Sequence, residues 1–74
     1  MREGLLWFDD DPRRRLEEKV QQAADRYRQK FGVAPDVCYV HAGTLDRAEV
    51  RIGSLRVLPV TTVRPHHFWI GRAN

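Results

Sequence analysis

Hydrophobic and polar positions along the chain follow two periods. Between residues 16 and 31, Leu16, Val20, Ala23, Ala24, Tyr27 and Phe31 recur at helical spacing, with Glu17, Glu18, Gln21, Gln22, Asp25 and Gln29 between them. That pattern makes one apolar stripe on an amphipathic helix. Asp11 followed by Pro12 is a helix-start signal, a carboxylate for orphan N–H groups and a proline at the first helical position. Lys30, Gly32 and Pro35 form the stop signal. The spacing therefore predicts a helix over about 12–31.

The remaining apolar positions come in short runs. "GLLWFD" (4–9), "DVCYVH" (36–41) and "HHFWIG" (66–71) read as strands that are apolar on both faces. "EVRIGSLRVLPV" reads as a hairpin about Gly53-Ser54, with Val50 and Ile52 facing Val57 and Leu55, and Pro59 ending regular pairing or marking an edge. A strand, a crossover helix and a strand predict a right-handed unit with parallel strands. The fold class follows as α+β: a β-α-β-β-β chain with one long helix on one face of a small mixed sheet of four or five strands. Its 74 residues allow one small globular domain over 1–74.

No uninterrupted apolar run exceeds four residues, so no segment reads as a membrane span. The first eleven residues carry too short an apolar core and too much acid for a secretory signal. A single cysteine, Cys38, rules out an internal disulfide framework and a four-cysteine zinc site, and fits a reducing cytoplasm. The expected location is cytoplasmic, with no membrane partner.

Charge divides the chain. Residues 1–36 hold eight basic and eight acidic side chains, whereas residues 37–74 hold five arginines against Asp46 and Glu49. A mildly basic second half permits an anionic partner without demanding one.

The triplet Asp9, Asp10, Asp11 is the first candidate for chemistry. "LLWFDDDPRRRLEE" resembles the first strand and turn of response-regulator receivers, whose paired carboxylates hold magnesium, and clustered oxygen ligands suit that ion. A receiver also requires about five βα units, an aspartate ending a later strand and a lysine beyond it. This chain has room for one unit, and its only lysines, Lys19 and Lys30, fall in the helix. The simpler reading makes Asp11 the helix cap, with Asp9 and Asp10 offsetting Arg13, Arg14 and Arg15 where cations oppose the helix dipole. Arg13 and Arg14 also stand four residues before Glu17 and Glu18.

Cys38, His41, His66 and His67 are the soft metal ligands. Three residues apart on one strand, Cys38 and His41 point to opposite faces, and adjacent His66 and His67 alternate too. No phosphate-cradling glycine loop, zinc-helix motif or nucleophile–base pair is present. The expectation is no enzyme activity, no cofactor and no bound metal.

Two features point to binding instead. A two-residue turn at Gly53-Ser54 puts Arg51 opposite Arg56, an unfavourable pairing unless something neutralises it, and Glu49 stands as a diagonal neighbour. With Arg47 and Arg64, and with Tyr39 and Trp69 for stacking if they share that face, the set suits single-stranded nucleic acid. The second feature is apolar area: one helix covers one face of a sheet whose strands are apolar on both. Trp7, Tyr39, Phe68 and Trp69 are the candidate interface residues, and large exposed apolar patches mark interfaces.

"LLWFDDDP", "YRQKFGVAPDVCYVH" and "VLPVTTVRPHHFWIG" together resemble a group of short uncharacterised bacterial proteins. The resemblance spans about residues 5–71 and implies no activity, ligand or catalytic residue. The leading expectation is a non-catalytic protein-interaction or accessory module, a homodimer formed through its sheet or a module with an unidentified protein partner. The alternative is a nucleic-acid binder using Arg47, Arg51, Arg56 and Arg64. A magnesium-dependent hydrolase or nuclease using Asp9, Asp10 and Asp11 stands third.

Overall fold

A computed structural model describes residues 4–73. Strand β1 (Gly4–Phe8) leads through a turn into helix α1 (Leu16–Phe31) and strand β2 (Val37–His41). A 3-10 turn at Ala42–Thr44 precedes β3 (Val50–Ile52), β4 (Leu55–Val60) and β5 (His67–Gly71). The fold is α+β, with one helix on a five-stranded mixed sheet of order β1-β5-β2-β4-β3. Among the described residues, no helix is long and apolar enough to cross a membrane.

The unit β1-α1-β2 is split. Both strands run antiparallel to β5, hence parallel to each other, but β5 lies between them. The expected crossover is therefore present in direction and absent as a direct pair. Among the described residues, β2 and β4 form the one parallel ladder. The hairpin register is as expected: Val50 faces Val57, Arg51 faces Arg56 and Ile52 faces Leu55. Gly53 has φ +62°, and no positive φ occurs at Ser54. Glycine at the first central position is the type II′ pattern, whose twist suits a hairpin.

Pro59 does not end β4, which continues to Val60. The Arg56 N–H donates to the Asp36 carbonyl at 3.1 Å, so by alternation Pro59's ring nitrogen points away from β2. On that side β3 pairs only as far as Val57, so the missing N–H interrupts no ladder.

The helix starts at Leu16, four residues later than Asp-Pro announces. Asp11 caps a turn, not the helix. Its carboxylate accepts the Arg13 N–H at 2.9 Å, and the Arg14 N–H reaches the Asp11 carbonyl at 3.4 Å. Aspartate first and proline second is the signature of a type I turn, which competes for the same residues. Arg15 occupies the cap position, where its N–H donates to the Glu18 carboxylate at 2.9 Å. The reciprocal half of that box is missing because arginine has no acceptor. Arg13, Arg14 and Arg15 consequently precede the helix, and Glu17 and Glu18 favour its positive end.

Val20, Ala23, Ala24 and Tyr27 pack on Cys38, Val40, Ile52, Leu55, Val57, Phe68 and Ile70, with Leu5, Trp7, Leu16 and Phe31 partly buried around them. Gly32 closes the helix at φ +76°, its N–H donating to the Arg28 carbonyl at 2.8 Å.

Candidate functional site

Because side chains alternate along a strand, the helix-side core fixes what faces the other way. With Cys38, Val40, Phe68 and Ile70 under α1, the opposite face carries Tyr39, His41, His67 and Trp69. By the same count it also carries Leu6, Phe8, Arg51, Arg56, Leu58 and Val60. The register sets Leu6, Trp69, Tyr39 and Leu58 side by side across four strands. Leu6 and Phe8 are 58% and 54% exposed.

Tyr39 and Trp69 are therefore neighbours on the open face, as an interface would need. Trp7 and Phe68 are not there: Phe68 is buried under the helix, and Trp7 packs against the same core with the Arg26 guanidinium 5.6 Å from its ring centroid. Strand alternation puts them out of step with Trp69.

Trp69 is held against β1 by an absence. A Cβ on Gly4 would stand 2.9 Å from the indole Cζ2 and 3.1 Å from the Ile70 carbonyl oxygen. Glycine is what lets the ring lie so close to the strand. The connection over residues 61–66 crosses the end of β2 on this same side, pinned where His41 Nδ1 lies 3.0 Å from the Val63 carbonyl. Val63 is buried there, apart from the helix-side core. Next comes a tight turn in which His67 N–H donates to the Arg64 carbonyl at 3.1 Å. Its third residue, His66, takes φ +66°, a left-handed conformation usual for glycine.

Between this connection and the strands lies a cleft of about 480 Å³, lined by Leu6, Thr62, Val63, Arg64, His67 and Trp69. Its lining holds a guanidinium and an imidazole and no carboxylate. His67 Nδ1 lies 2.9 Å from the Pro65 carbonyl, an arrangement that leaves Nε2 as the free ring nitrogen, and its ring sits 4.9 Å from that of Phe8. Leu6, Thr62 and Val63 carry no chemical signal in the sequence. They meet only because β5 is inserted beside β1.

Arg51 and Arg56 lie at the other end of the face, in register with Val37 and Gly71. Glu49 answers Arg56 with two hydrogen bonds, of 3.1 and 3.3 Å. These bonds hold the Glu49 carboxyl below its ordinary range and raise the guanidinium. Arg51 has no ion pair or side-chain hydrogen bond among the described residues, and the same holds for Arg47 and Arg64. Arg47 is exposed in the loop before β3.

The aspartates are largely occupied locally. Asp9 accepts the Asp11 N–H at 3.0 Å and lies 3.7 Å from the Arg14 guanidinium. Hydrogen bonds from the Arg13 side chain and backbone lower the Asp11 carboxyl. Arg13 thus turns back to Asp11, and Arg14 reaches the Glu18 carbonyl at 3.4 Å rather than its carboxylate. Among the described residues, no three His, Cys, Asp or Glu side chains are grouped to hold a metal ion. Cys38 is fully buried under the helix, while His41 faces the other way.

No family model, curated protein or solved structure matches the chain.

Proposed function

We propose that the chain is a non-catalytic interaction module that pairs with a second copy of itself through its sheet, and that the pairing runs along the β1 edge. One observation carries this reading: β1 is an outer strand of five residues with no charge and no proline, and two of its side chains, Leu6 and Phe8, are large, apolar and more than half exposed. Monomeric proteins blunt such edges, because the unpaired N–H and C=O groups template another strand. The opposite edge is blunted: β3 has three residues and carries Arg51.

The Asp9 N–H donates to the His66 carbonyl at 3.0 Å, so by alternation the backbone groups of Gly4, Leu6 and Phe8 point to the open side. A two-fold antiparallel pair centred on Leu6 forms about six hydrogen bonds. At roughly 1 kcal/mol net each, and with Leu6 and Phe8 losing exposure, the gain is comparable to an association cost of about 4–15 kcal/mol. A surplus of about 4–8 kcal/mol over that cost corresponds to pairing in the micromolar to millimolar range, the window in which the pair is sought. Face-on-face stacking would take three cations of each chain, Arg51, Arg56 and Arg64, into the interface, and desolvating them disfavours it. A single, buried thiol fits work in the reducing cytoplasm.

Sedimentation from ~10 μM to ~1 mM tests the pairing. The expected mass climbs from 8.7 kDa toward twice that value, and Leu6→Lys, which sets a charge on the edge, remains monomeric. A wild-type monomer throughout that range refutes it.

A further inference from the structure

We infer that the open face binds a single strand of nucleic acid, with one base stacked on Trp69 in the cleft beside Arg64. This goes beyond the edge pairing and does not depend on it, since Trp69 and Tyr39 lie inboard of β1.

The cleft has the size of a small-ligand site, and its chemistry selects the ligand. The indole, fixed over Gly4, offers a flat apolar floor. Arg64 on the wall offers a positive donor group, His67 beside the floor leaves its Nε2 free, and no lining carboxylate repels an anion. A planar ring joined to a phosphate meets both demands. One strand over, Tyr39 lies in register with Trp69, about 4.8 Å away as neighbouring strands are spaced. Two aromatic side chains on adjacent strands form a stacking platform that tolerates any base.

Beyond Tyr39 the face ends in Arg56 and Arg51, so cations stand at both ends of the aromatic pair. A backbone crossing from the cleft to the hairpin meets Arg64 first and the paired arginines last. Such a backbone would also resolve the opposition of Arg51 and Arg56, which Glu49 only half neutralises. The cleft requires an unstacked base, so a duplex does not fit it. Nothing in this geometry distinguishes ribose from deoxyribose, and both strands are therefore tested.

The experiment is fluorescence anisotropy with labelled ten-nucleotide oligo(dT) and oligo(U) and a ten-base-pair duplex, titrated with the full chain at about 20–200 mM salt. Both single strands, or one of them, should bind more tightly than the duplex. With three arginines on phosphate, the slope of log affinity against log salt should be about −2. Trp69→Ala should weaken binding roughly 5- to 150-fold. Since that variant removes packing from β1, the surface variants Arg64→Ala and Arg51→Ala/Arg56→Ala provide a second arm, each lowering affinity and flattening the salt slope. Failure of both single strands to bind at ~100 μM protein and low salt overturns the inference. Equal affinity for duplex does so as well, as does binding indifferent to Trp69 and to all three arginines.

Discussion

Cys38 offers a test of the packing that holds the helix to the sheet. Its side chain is fully buried among Val20, Ala23, Tyr27, Val40 and Ile70. That apolar burial pushes the thiol up from 9.0 to about 12. A thiol kept neutral in the fold contributes its full share of stability below the unfolded value. It then loses that share as pH rises from about 9 toward 12. Three pH units at 1.36 kcal/mol each amount to about 4 kcal/mol in all. A chain of this length has roughly 4–11 kcal/mol of stability, so ionising Cys38 alone removes a large part of it. The assay is urea unfolding at intervals from pH 7.5 to 11 for the wild type and Cys38→Ala. The variant should be less stable at pH 7.5, by about 1–2 kcal/mol for the lost atom. Above pH 9 its curve should fall less steeply, so the two converge, while tyrosine and lysine titrations affect both alike. Thiol labelling under native conditions at pH 8 should proceed only as fast as the fold opens. Parallel curves up to pH 11, or labelling at the rate of a free thiol, would refute this account of the core.

Two further outcomes follow. His66→Gly should stabilise the chain by about 0.5 kcal/mol or more, and His66→Val should destabilise it by ~1–2 kcal/mol, because only glycine accepts φ +66° without strain; thermal melts of the two variants decide. Glu49→Gln, which removes the carboxylate beside Arg56, should tighten oligonucleotide binding at low salt while leaving the salt slope near about −2, and an unchanged affinity would show that Arg56 touches no phosphate.

What the sequence could and could not disclose depended on the range of the interactions involved. The stripe from Leu16 to Phe31 and the register about Gly53-Ser54 are local, and both were legible. The start of the helix was not, because Asp11-Pro12 satisfies a type I turn as well as a cap. Local signals cannot separate those two outcomes when Arg15 and Glu18 supply another start. Nor could the faces of "LLWF" and "HHFWIG" be assigned, since a strand apolar on both sides gives alternation no phase. Only the helix, by choosing Phe68 and Ile70, placed Trp69 outside. The arginine pair was visible from spacing. Its company with Tyr39 and Trp69 depended on the order of the strands, and the cleft on a connection whose residues are chemically plain.

The place of β5 in the sheet has a consequence for how the molecule comes into being. Residues 67–71 lie between β1 and β2, and both strands take their antiparallel partner from them. During synthesis, β1, α1 and β2 therefore emerge without the strand that joins them, and only the β2-β3-β4 portion can assemble early. The last strand acts as a keystone, turning two separate edges into one sheet in a single late step. A chain cut before His67 should accordingly leave β1 without a partner and β2 paired only with β4, with "LLWF" exposed as an adhesive segment.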